Sequence, residues 1–147
     1  MNRSDVTALI LEKKRSHGLR WVDVSAHLGA SKEWCTAALL GQMPLSAEQA
    51  HLITQLLDLP EEAERLLQEV PSRGSLPTAV PTDPTIYRFY EILQVYGTTI
   101  KELIHEEFGD GIMSAIDFSM DISRVMDEHG DRIKVTLNGK YLKYKAY

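Results

Sequence analysis

Apolar residues recur at helical spacing through most of the first seventy positions, and each run is bounded by residues that suit a helix end. Val6, Leu9 and Ile10, with Lys13, trace one face of a first helix that Ser4 and Asp5 are placed to cap. Residues 21–28 predict a second, stopped by Gly29, and Ser31 caps a third that runs through residues 34–40 to Gly41. Residues 45–57 and 60–70 give two more, with Pro60 suited to a first helical position. The two helices either side of Gly29 resemble a helix-turn-helix domain of phage-repressor type, in which residues 31–40 would be the recognition helix.

The periodicity then stops. Four of the six prolines fall in residues 71–84, PSRGSLPTAVPTDP, where no helix can continue. This reads as a linker between a helical domain, residues 1–70, and a second domain, residues 85–147. In the second, residues 87–96 predict a helix broken by Gly97, residues 98–108 a helix capped by Thr98 or Thr99, and residues 112–126 a third. After Gly130, Ile133, Val135 and Leu137 alternate with polar residues. Asn138-Gly139 follows as a two-residue turn, and residues 140–144 return as a second strand. The expected class is α+β and mostly α: a repressor-like helical bundle followed by a small α+β domain with a β-hairpin. A lone hairpin is marginal in water, which points to a homo-oligomer.

Composition narrows the setting. With 147 residues, 44% of them apolar and 25% charged, the chain is an ordinary globular protein. Its apolar runs are too short to span a bilayer, and its N-terminus lacks a signal-peptide pattern. One cysteine, Cys35, allows no intrachain disulfide, so a cytoplasmic location is expected. The five histidines have no ligand spacing, and His105-Glu106-Glu107 lacks the second histidine of a zinc-binding helix; no metal or organic cofactor is expected.

Charge also weighs against nucleic acid. Residues 1–70 carry seven Lys or Arg against ten Asp or Glu, a net of −3, within a chain of net −5. The expected recognition helix offers Lys32 but no Arg or Asn to read base edges. A DNA-binding regulator with a C-terminal oligomerisation domain is the alternative reading.

The chemistry concentrates in residues 84–118. Arg88 and Glu91 stand three residues apart, hence on one helical face, amid Ile86, Tyr87, Phe89, Tyr90, Ile92 and Leu93. Phe108-Gly109-Asp110-Gly111 then leads to Ser114, expected in the first turns of a helix. A guanidinium, a carboxylate and a hydroxyl beside apolar surface suit a small anion. Surface pairing and helix packing are the plain readings of each residue taken alone.

The segment LIHEEFGDGIMSAIDF, with YRFYEILQVYGTTIKE before it and GDRIKVTLNGKYLKYKAY after, closely resembles the cyanase (cyanate hydratase, cyanate lyase) family. WVDVSAHLGASKEWCTAALLGQMPLS resembles that family's repressor-like domain, so the likeness spans essentially the whole chain. The resemblance implies an active-site triad of Arg88, Glu91 and Ser114. It implies bicarbonate-dependent decomposition of cyanate, through carbamate, to ammonia and carbon dioxide, with bicarbonate as co-substrate and no cofactor. It further implies a homodecamer of five dimers with sites between dimers, and neither nucleic acid nor membrane as a partner.

Overall fold

A computed structural model describes residues 1–146, and the chain divides into two compact units, Met1–Ser75 and Leu76–Tyr147. The first unit is five helices: α1 (Arg3–Ser16), α2 (Trp21–Leu28), α3 (Lys32–Leu39), α4 (Ala47–Leu56) and α5 (Glu61–Gln68). The first cap falls two residues earlier than Ser4. Asn2 accepts from the Asp5 amide and Asp5 accepts from the Asn2 amide, a reciprocal pair that satisfies two otherwise orphaned donors. Gly29 ends α2 in the left-handed conformation (φ 65°), and the Ser31 hydroxyl accepts from the Trp34 amide at 3.2 Å to start α3. Pro60 sits at the cap of α5, one position before the expected one.

These helices close on a dry core that includes Val6, Ile10, Val24, Leu39, Ile53 and Leu67. Trp21 and Trp34 pack against its margin, and Cys35 is buried within it. Burial pushes the Cys35 thiol above its ordinary pKa, because a thiolate would lose its hydration there.

The second unit holds one long helix, α6 (Pro84–Phe108), and two antiparallel strands, β1 (Gly111–Val125) and β2 (Arg132–Lys143). The α+β class stands, but three local expectations do not. Gly97 does not break the helix. A Cβ there would meet nothing within 4 Å, so the glycine costs α6 only about 1 kcal/mol of propensity. Asp83 caps this helix, accepting from the Thr85 and Ile86 amides.

Residues 112–125 of the third helix expected over 112–126 lie in strand β1 instead. The run Ile116-Asp117-Phe118-Ser119-Met120-Asp121-Ile122-Ser123 alternates strictly, which is a strand's period. Nor is Asn138-Gly139 the turn, because both lie inside β2, paired with Ser119 and Phe118. The chain reverses at Asp127–Gly130. There the Gly130 amide bonds the Asp127 carbonyl at 3.1 Å and Gly130 takes φ 123°.

The ladder is interrupted once. Met113 pairs with Tyr141 and Phe118 with Gly139, so residues 114–117 bulge opposite a single residue, Lys140. Away from Gly111 and Ser114 the ribbon is largely exposed, and α6 buries none of its residues. Among the described residues no helix is long and apolar enough to cross a membrane.

Candidate active site

Arg88 and Glu91 lie in the first turns of α6, where their spacing brings Arg88 Nε to 3.8 Å from Glu91 Oε2. The guanidinium also lies 5.8 Å from the centre of the Tyr87 ring. The two side chains are 65% and 54% exposed in the single chain, so their pairing by itself contributes little.

Ser114 differs on every count. It is 5% exposed, and no helix N-terminus attends it. It opens the β1 bulge, and its Oγ accepts from the Ile116 amide at 3.0 Å and the Asp117 amide at 2.9 Å. A serine oxygen has two lone pairs and one proton. Both acceptor positions are therefore taken, and the O–H is the remaining arm. Such a hydroxyl is a fixed donor and a poor nucleophile.

The bulge depends on a residue whose role the sequence disguised. A Cβ on Gly139 would lie 2.4 Å from the Ser114 carbonyl oxygen and 2.5 Å from Met113 Cγ. Gly139 is thus a site of close backbone approach, not a turn residue; a glycine inside an alternating strand was the available signal. At the other end of the segment the Tyr141 ring packs on Gly111 and lies 5.3 Å from the Phe108 ring, filling the corner between α6 and β1.

Within one chain the three residues do not converge. Twenty residues of helix separate Arg88 from Phe108, about 30 Å. The six residues from Phe108 to Ser114 can recover at most about 20 Å. They would do so only by running back along α6, which buries nothing against β1.

Concavities also open away from these residues. One of about 550 Å³, lined by Asn2, Arg3, Thr7, Gln42 and Ser72 among others, lies in the N-terminal unit. Its arginine donates through Nη2 to the Ala38 carbonyl at 2.6 Å, tying α1 to α3, while its Nε and Nη1 are buried without a hydrogen-bond partner among the described residues. On α3 Lys32 is paired with Glu33, which leaves that helix poorly suited to phosphates. Among the described residues no three His, Cys, Asp or Glu side chains gather as a metal site would require.

Comparison with known proteins agrees over both halves. The family described as "Cyanate hydratase, N-terminal" matches residues 3–71, and "Cyanate lyase C-terminal domain" matches residues 78–146. The cyanate hydratase of Thiobacillus denitrificans is 64% identical over 147 residues, covering all of both chains. That of Methylobacillus flagellatus is 62% identical over the same span. The crystal structure of cyanase from T. urticae superposes with a TM-score of 0.81 at 37% identity, covering 94% of this chain and 96% of that one. None of these supports a DNA-binding regulator. With such identity over its full length, the chain belongs to the cyanate hydratase (cyanate lyase) family of enzymes.

Proposed function

We propose that the enzyme joins cyanate to bicarbonate at a cofactor-free site made by more than one copy of the chain. Arg88 and Glu91 come from one copy and Ser114 from another, within a cytoplasmic homodecamer of five dimers. The observation that carries this reading is the Ser114 hydroxyl, buried, filled by two amides as an acceptor and left with only its proton to offer. That is the behaviour of an anion-binding donor. The separation of Arg88 from Ser114 along one chain supports the sharing, as does the uncovered apolar surface of α6.

Both substrates are monoanions, and a dry site magnifies their repulsion. Arg88 offsets it with a planar fork that can hold carboxylate-like oxygens by two bonds. A bicarbonate oxygen attacks the cyanate carbon, forming the new C–O bond, while the nitrogen gains two protons, one from the bicarbonate hydroxyl and one from solvent. The bond between that oxygen and the bicarbonate carbon then breaks, releasing carbon dioxide and leaving carbamate. Carbamate takes up a further proton and falls apart to ammonia and a second carbon dioxide. Most of the acceleration comes from holding the two anions at reacting distance.

Glu91, 3.8 Å from the guanidinium, orients Arg88. Relay of a proton to the nitrogen is its other reading, and Glu91→Gln separates them because the amide keeps the contact but carries no acidic proton.

The test is ammonia release from cyanate with and without bicarbonate, followed by mixing of two inactive variants. Arg88→Lys and Ser114→Ala, unfolded together and reassembled, should regain activity, since some sites then receive both native residues. Bicarbonate-independent turnover would overturn the reaction. Mixed assemblies as inactive as either parent would overturn the shared site.

A further inference from the structure

We infer that Gly139 is a positioning residue of the reaction, acting through Ser114, because the missing side chain at 139 lets the bulge hold the serine hydroxyl in its working place. The inference rests on the assignment of Ser114 to substrate binding in a shared site. Space, not backbone freedom, is what this glycine supplies. Gly139 is not among the glycines with positive φ, so alanine would carry no backbone strain there. Its Cβ would nonetheless lie 2.4 Å from the Ser114 carbonyl oxygen, where ordinary contact begins at 3.4 Å. One side must therefore give by about 1 Å. Met113 Cγ, 2.5 Å away, belongs to a flexible side chain and can swing aside; a backbone carbonyl cannot.

The ladder decides which side moves. On one flank of the contact Asn138 pairs with Ser119 and Gly139 with Phe118; on the other Tyr141 pairs with Met113. Tyr141 is pinned further, its ring packed on Gly111 and 5.3 Å from the Phe108 ring. Residues 114–117 stand outside the register, so the bulge is the part that yields. Within it the Ser114 Oγ accepts from the Ile116 and Asp117 amides. The hydroxyl is thus tied to the backbone around it and travels with it. One methyl group on β2 becomes a displaced donor at the site, and a misplacement of about 1 Å can cost about a hundredfold in rate.

The experiment is kinetics of Gly139→Ala, alone and in mixed assemblies. Alone, its kcat/KM should fall by about tenfold or more while light scattering shows the wild-type assembly. Wild-type kinetics would overturn the role. Mixing separates displacement of Ser114 from a general loosening. Unfolded and reassembled with Arg88→Lys, Gly139→Ala should exceed the mean activity of the two parents, because the Arg88→Lys copies bring an undisturbed Ser114. Reassembled with Ser114→Ala it should not, because no copy then carries a well-placed hydroxyl. A gain with Ser114→Ala, or no gain with Arg88→Lys, would place the defect elsewhere and overturn the role. The same mixtures decide if Gly139→Ala does not assemble alone, and failure to enter them would make the glycine a folding residue only. Arg88→Lys and Ser114→Ala that do not complement each other would instead sink the shared site beneath it.

Discussion

The two units use similar apolar material to opposite ends. The N-terminal unit turns its apolar side chains inward and seals a core ending at Leu67. Among its described residues the C-terminal unit buries only Pro81, Gly111 and Ser114, while Phe89, Leu93, Tyr96, Leu103 and Phe108 stand exposed along α6. Ile116, at the bulge beside Ser114, is 96% exposed. Exposed apolar surface of this extent marks an interface. A two-stranded ribbon with a single helix lacks the means to bury it alone. The difference teaches that one unit carries its own apolar core, whereas the other leaves its large apolar side chains at the surface.

Deleting residues after Gly130 attacks the weaker partner most directly. It removes β2 and every ladder bond of β1, and the expected product is a smaller species on sizing columns with no measurable turnover. An active monomer would break the comparison outright.

Arg88→Lys comes next. It keeps the charge but loses the fork, so activity should fall by about a hundredfold or more while assembly persists. Kinetics beside light scattering reads both quantities.

Paired truncations then sharpen the contrast. Leu39→Ala should destabilise the N-terminal unit by about 3 kcal/mol through the cavity it leaves. Leu103→Ala, on the exposed face of α6, should instead shift the concentration dependence of assembly. Denaturation at several protein concentrations distinguishes the two, and a concentration-independent loss for Leu103→Ala would count against the interface.

The smallest effect concerns Cys35. With its pKa raised by burial, it carries less thiolate at neutral pH than a free cysteine, so alkylation should be slow until the N-terminal unit unfolds. Rapid labelling of the native enzyme would show that core to be looser than its packing implies.

The five N-terminal helices were legible because helical period, caps and glycine stops all agreed there. In the C-terminal unit local signals conflicted. Gly97 read as a break, although α6 continues through it; Asn138-Gly139 read as a turn, although Gly139 is there to admit the Ser114 carbonyl. The alternation in residues 116–123 was present but lost beside the helical context before it.

The order of residues by itself determined the five N-terminal helices, the proline-rich stretch that interrupts them, the pairing of Arg88 with Glu91 on one face, and the family. These are local or short-range facts, fixed by backbone preference and side-chain period. The tertiary structure alone decided that Ser114 sits in a bulge held by two amides, that Gly139 lies against it, and that Arg88 is a helix length away. Those depend on which strand residue meets which across the ladder, and pairing at that range is set by the whole unit.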